Sequence, residues 1–242
     1  MFTIRNNNQT IQTQVESKDL TKNFIANVFA WMGIALAITA FTAYYFASNE
    51  TLLFSLINAD TGGFTILGWI VMLSPLGFVL AMNVGYQKFS ASTLILLFGV
   101  FSILMGASLS FILLIYTSAS VFKTFAVTAV MFGVMSFVGY TTKTDLTKFG
   151  SLMFMGLIGI IIASVINMFL QSGTFDYIIS FIGVLVFTGL TAYDVQKLKR
   201  IGAGIQYGSE SANKLVIMGA LSLYLDFINL FLFLLRFMGN RR

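Results

Sequence analysis

The chain has no cysteine and no histidine, a single proline, and only 10% charged residues among 242. Each scarcity removes a class of chemistry. Without cysteine there is no disulfide framework, no thiolate nucleophile and no thiolate-bound metal. Without histidine, the usual zinc sites, Ser-His-Asp triads and imidazole pH switches are excluded. Any proton sensing falls to carboxylates or lysines. Soluble domains carry about 25% charged residues, so this composition points away from a water-facing surface. What the chain has instead is 57% hydrophobic residues and a net charge of +5. The basic residues sit in short clusters between apolar runs, a pattern of membrane topology and not of a nucleic-acid surface.

Residues 1–22 are polar and read as a flexible tail. They contain no apolar h-region and no small-residue cleavage site, so no signal peptide is expected. Seven apolar runs follow, at about 23–47, 64–84, 91–115, 121–140, 150–171, 177–196 and 214–237. Each is near the roughly 20 residues that a spanning helix needs. They are too long, and too little alternating, for barrel strands. The expectation is an all-α membrane protein of seven transmembrane helices, forming a single domain over 23–237 with a short basic tail at 238–242. Most connections are brief; those at 48–63 and 197–213 read as longer loops. With the N-terminus in the cytoplasm, ten of the 14 Lys and Arg residues fall inside and four outside, which favours that orientation. The terminal "RFMGNRR" disagrees: seven spans place it outside, unless one run is re-entrant.

Small residues mark contact faces where helices pack in lipid. The third run offers Ser102, Gly106 and Ser110, and the fifth offers Gly156, Gly159, Ala163 and Asn167. Pro75 removes a backbone donor from the second run. It reads first as a packing kink and second as the hinge of a gate.

Two acids stand where lipid-facing residues would be expected. Charged residues within spans usually face the bundle interior or water. Asp226 lies about 15–18 Å from either end of its run. Gly219, Ser222, Asp226 and Asn229 follow at offsets of 3, 4 and 3, so they form one polar stripe on a helix otherwise apolar all round. Asp194 shares a face with Ser180, Gly183 and Thr191. Lys197, three residues on, is its one close local partner. Spacing alone does not bring the two acids together. If they meet, a low-dielectric site disfavours two charges, and the pair shares a proton and titrates in two coupled steps. Such a pair is a pH-controlled latch, a site for a hard cation such as calcium, or both. Tyr193, Gln196, Tyr224 and Asn229 flank the acids and carry groups able to bond a carboxylate; Asn229 alone shares the stripe of Asp226. Glu50, Asp60, Asp145, Asp176 and Glu210 read as solvated loop acids.

The segments "FTGLTAYDVQKLK" (187–199) and "IMGALSLYLDFINLFLFLLRFMGNRR" (217–242) closely resemble the C-terminal signature of the Bax inhibitor-1 family, in a bacterial form. The resemblance implies a seven-helix fold whose last helix is central and enclosed by the other six. It implies that Asp194 and Asp226 form a paired pH sensor and the ion pathway, as possible calcium ligands. Ser222, Thr191, Tyr193, Gln196 and Asn83 are possible supporting groups. Similar proteins are associated with a proton-sensitive calcium leak, with calcium as the permeant ion and no resident cofactor. Some bacterial relatives are linked instead to membrane proteolysis and quality control, which makes a non-conducting modulator of a membrane-protein partner the alternative. The expected setting is the bacterial inner membrane, with no nucleic-acid partner. An intramembrane aspartyl protease would also need two facing carboxylates, but the resemblance points elsewhere. One departure stands out. Some members carry an arginine on the second helix near the acids; here 64–84 contains no Lys or Arg, and Asn83 is its most polar deep residue.

Overall fold

In hydrocarbon, every backbone N–H and C=O must be satisfied within the chain, so an apolar run of sufficient length becomes a helix. The computed structural model describes residues 19–58, 63–205 and 208–242 in full and residues 2–18 as backbone. Its helices are α1 (Phe2–Ser48), α2 (Glu50–Leu56), α3 (Ile66–Gly85), α4 (Ala91–Ile115), α5 (Ser118–Thr141), α6 (Thr147–Leu170), α7 (Gly173–Ala203) and α8 (Glu210–Met238). All but α2 are long and apolar enough to cross a membrane. Each expected run is found.

The differences lie at the ends. The polar N-terminal segment, expected as a flexible tail, continues α1 as helix back to Phe2. No Gly or Pro occurs before Gly33, so nothing interrupts a helix nucleated in the apolar run. Part of the expected 48–63 loop is the short helix α2, capped by Asn49, whose side chain accepts from Leu52 N–H at 3.3 Å. Of the expected 197–213 loop, residues 197–203 are two further turns of α7 and residues 210–213 open α8. There Lys199 Nζ donates to Tyr140 O at 2.7 Å, and Arg200 bonds Asp145, so the basic residues that suggested a helix end are held within it. Cations in a last turn also suit the helix dipole. Starts are set by hydroxyls: Thr65, Ser90, Thr117, Ser172 and Ser209 each accept the N–H three residues on, satisfying one of the orphan donors of a helix N-terminus.

Helix α8 is central. It packs directly on α1, α4, α5 and α7. Helix α3 leans on α4, and α6 on α7, one layer out. Burial follows: 67% of the apolar window is buried in both α7 and α8, against 22% in α3 and 11% in α6. Tyr224 of α8 meets the stacked rings of Phe98 and Phe101 edge to face, with centroids 6.0 and 5.3 Å away, and shares a 2.7 Å hydrogen bond with Thr39 Oγ1. Thr39 also reaches Ser102 O at 2.9 Å, and Gly106 lets the α1 backbone approach at Thr39–Ala43. Ser102, Gly106 and Ser110 therefore do form a contact face, and all three are buried. The stripe expected on α6 holds in part. Gly156, Ala163 and Asn167 are half-buried, with Gly156 touching Val186, but Gly159 is exposed; Gly150 and Ile160 are the buried residues of the helix.

Helix α3 runs unbroken through Pro75. The proline leaves Val71 O without its helical donor. Ser74 Oγ at 3.0 Å and Ser108 Oγ of α4 at 2.8 Å take its place.

The two ends of the bundle are distinct. Phe24 near the start of the α1 span lies against Gly202 at the end of α7. The C-terminal tail sits at the opposite end, paired with the α4–α5 turn. Thr117 N–H donates to Asn240 O (3.1 Å), Arg242 N–H to Ile115 O (2.9 Å), and the Arg241 guanidinium lies over the Tyr116 ring. Among the described residues, the start of the α1 span and the C-terminal tail thus lie at opposite ends of the bundle.

Candidate functional site

The site is built where the polar faces of α7 and α8 meet. On α7, Ser180, Gly183, Thr191 and Asp194 are all buried; on α8, Gly219 and Asp226 are buried, and Ser222 and Asn229 half-buried. Ser222 Oγ donates to Asp194 Oδ2 at 2.5 Å, a short charge-assisted contact. Ser222 is one turn before Asp226 on α8. The two carboxylates are therefore separated along the bundle by about one turn, roughly 6 Å of helix rise. Asp226 has no bonded donor for Oδ2, which is fully enclosed. A buried carboxylate oxygen without a partner is costly.

Two cavities converge here. The first, about 340 Å³, runs from Lys197 and Ile201 at the α7 end to Asp194, with Asn83 of α3 on its wall. The second, about 530 Å³, lies between α6, α7 and α8 and contains Asp226 and Asn229. Both are lined by Asp194, Ser222 and Leu225. The Asp194–Ser222 hydrogen bond and the Leu225 side chain thus form the partition between them. Across these cavities α3 and α6 complete the enclosure of α8 that its four direct neighbours begin.

The supporting residues named from the sequence divide into two groups. Ser222 bonds the acid directly. Asn83 and Asn229 line the cavities while their amides donate to Val79 O and Leu225 O on their own helices, both at 2.8 Å. The others point elsewhere. Thr191 is buried and donates to Phe187 O at 2.8 Å. Tyr193 packs on Gly150 and Phe154 of α6. Tyr224 faces α1 and α4. Gln196 bonds the α5–α6 connection: its Oε1 accepts from Leu146 N–H (2.9 Å) and its Nε2 donates to Thr144 O (2.8 Å). Residues adjacent in a helix are turned about a quarter-circle apart, so neighbours in sequence look at different partners. Lys197 faces the first cavity but makes no ion pair with Asp194; its place is taken by Ser222. Pro75 lies on α3, outside both cavity walls.

The sequence reading missed the wall that α6 contributes. Phe154, Leu157, Ile161 and Ser164 line the second cavity, and their offsets of 3, 4 and 3 were the available signal. It also missed the clamp at the α7 end, where Arg200 joins Asp145 at 2.5 Å, Thr147 Oγ1 at 3.0 Å and Gln196 Oε1 at 2.6 Å. The Thr147 and Arg200 hydrogen bonds hold the Asp145 carboxyl well below the usual carboxylate range. Asp176 opens α7 and pairs with Arg236 at 3.4 Å. Asp60 lies outside the described residues.

Comparisons with known proteins agree with the geometry. A protein-family model described as "Inhibitor of apoptosis-promoting Bax1" matches residues 21–242. The chain is 47% identical over 222 residues to "Inner membrane protein YbhL" of Escherichia coli (strain K12), covering 91% of this chain and 93% of that protein. It is 46% identical over 231 residues to an uncharacterized protein of Borreliella burgdorferi, covering 95% and 97%. An uncharacterized membrane protein of Streptococcus pyogenes serotype M6 is 35% identical over 237 residues, covering 97% and 99%.

Proposed function

The chain belongs to the Bax inhibitor-1 family, and from that premise we propose that it is a proton-sensitive leak pathway for calcium. The observation that carries this reading is the partition: two cavities meet at the Asp194–Ser222 hydrogen bond, with the unpartnered Asp226 carboxylate directly behind it. With the bond made, the cavities are separate. A proton on either carboxylate changes which oxygens accept, and an arriving cation competes with Ser222 for Asp194. Two carboxylates with hydroxyl and amide neighbours are hard donors suited to calcium. The full shell of 6–8 oxygens that holds calcium tightly is not assembled from protein groups here. That favours transit over storage, since a conducting site must also release its ion. The reading is of a conductor and not of a catalyst.

The same proposal places the protein in an inner membrane with its N-terminus in the cytoplasm. Support comes from the name of the Escherichia coli relative and from the excess of Lys and Arg at the end of the bundle where the α1 span starts.

The test is reconstitution in liposomes holding a calcium-sensitive dye, with pH varied. Asp226→Asn is expected to cut flux by at least roughly tenfold, because the lost charge–cation attraction is worth several kcal/mol in such a site. Asp194→Asn keeps an acceptor for Ser222 and is expected to remove the pH response. If both variants leave flux and its pH dependence intact, the leak reading fails. An effect of deleting residues 1–20 on capture of a membrane protease, with the aspartate variants silent, would favour a non-conducting modulator.

A further inference from the structure

The second cavity is more than a passage for an inorganic ion. Its volume of about 530 Å³ falls in the range of sites for small organic molecules. Its polar groups are few, and both of its charged ones are acids: Asp194 and Asp226. No Lys or Arg lines it. Most of the remaining wall is aliphatic or aromatic, with the Phe154, Phe187 and Phe233 rings among its residues. Asp226 is 6% exposed, and its Oδ2 has no hydrogen-bond partner. The chamber lies near the outer surface of the bundle. Helix α6 packs chiefly on α7, and its Phe154, Ile161 and Val165 are each about half exposed while lining the cavity. The wall they form is a single helix thick and faces the hydrocarbon of the bilayer.

We propose that this chamber binds single-chain lipophilic ammonium compounds, with the cationic head at Asp194 and Asp226 and the alkyl chain along the α6 wall. Charge complementarity selects the head. An anion meets two carboxylates and no counter-charge. A neutral amphiphile leaves Asp226 without its ionic partner. A bare inorganic cation satisfies the acids but leaves the apolar chamber unfilled. Quaternary ammonium groups also interact favourably with aromatic faces, and three rings are among the lining residues. An alkylammonium ion dissolved in the bilayer reaches the chamber laterally, with its chain already in hydrocarbon. This inference goes beyond the leak reading and does not depend on it, because binding is read without flux.

The experiment uses the full chain in phosphatidylcholine nanodiscs and radiolabelled dodecyltrimethylammonium in equilibrium binding. Saturable binding is expected. Unlabelled dodecylamine should displace the label; dodecanol, dodecanoate and tetramethylammonium should not. Asp226→Asn is expected to weaken binding by roughly 30-fold or more, the usual scale for removing one partner of a buried charge pair. Leu157→Trp fills the chamber from α6 and leaves both acids in place, so it should abolish binding while thermal unfolding reports an intact fold. Ser164→Phe serves on the same wall if Leu157→Trp fails to fold. The assignment is overturned if dodecanol or dodecanoate displaces the label as well as dodecylamine does. It is overturned also if the acid and wall variants all bind like the unmodified chain. Equal displacement by dodecylphosphocholine would assign the chamber to lipid headgroups instead of free amines.

Discussion

The Ser222 hydroxyl and the Asp226 carboxylate sit one turn apart on α8, yet only the first finds a bonding partner. Replacing Ser222 by Ala removes the partition's hydrogen bond and leaves both carboxyl groups in place. Calcium leak at neutral pH is then expected to rise severalfold in the liposome assay; an unchanged leak would remove the bond from the closing mechanism. Asp145 provides the contrast. Its carboxyl is held low by Thr147 and Arg200. A depressed carboxylate contributes stability that is complete above the ordinary carboxylate range and is lost only as pH falls through its lowered value. Between pH 5 and 8 it does not titrate, so Asp145→Asn should leave the pH midpoint of flux unmoved. A shifted midpoint in that variant would relocate the sensor to the α5–α6 connection. How far these roles were legible depends on geometry. The inward faces of Asp194 and Asp226 followed from residues three and four apart. The partners of Gln196, Tyr193 and Tyr224 did not, because each lies on another helix far along the chain.

The elements were readable because an apolar run of about 20 residues has one solution in a bilayer. The α4 run and helix coincide at 91–115. What hydropathy does not encode is where a helix stops once its polar residues find partners, which is why α7 outlasts its apolar run. It is equally blind to α2, too short and polar-flanked to register. Close packing supplies a prediction on α5. A Cβ at Gly139 would collide with the Ala192 backbone of α7, whereas Gly133 has open space around it. Gly139→Ala should cost about 1–3 kcal/mol through overpacking, and Gly133→Ala should gain up to about 1 kcal/mol from helix propensity. Thermal unfolding in detergent separates the two; equal effects would refute the close α5–α7 contact. On α3, Ser108→Ala strips a donor from Val71 O and should cost about 1 kcal/mol, while Pro75→Ala restores the missing backbone bond and should not destabilise. A loss of flux in Pro75→Ala with stability preserved would make the proline a hinge.

At the scale of the whole molecule, the absence of cysteine becomes an advantage. Any introduced thiol reports alone. Lys88→Cys and Lys143→Cys, in connections at the end where the α1 span starts, should label from one side of sealed vesicles. Asn240→Cys, beside the α4–α5 turn, should label from the other. Co-labelling of all three would break the seven-span arrangement. The basic C-terminal tail, which the charge count places outside against the usual bias, is anchored by backbone bonds to Ile115 and Thr117, a constraint that no tally of lysines reveals. One consequence concerns synthesis. The helix around which α1, α4, α5 and α7 gather follows all four in the chain and leaves the ribosome after them. Until it is made, those four have a vacancy at their common axis, and Asp194 faces it without Ser222. A nascent chain that stalls before residue 210 is thus an open ring with an unmatched acid, a state that the insertion machinery must hold or the cell must discard.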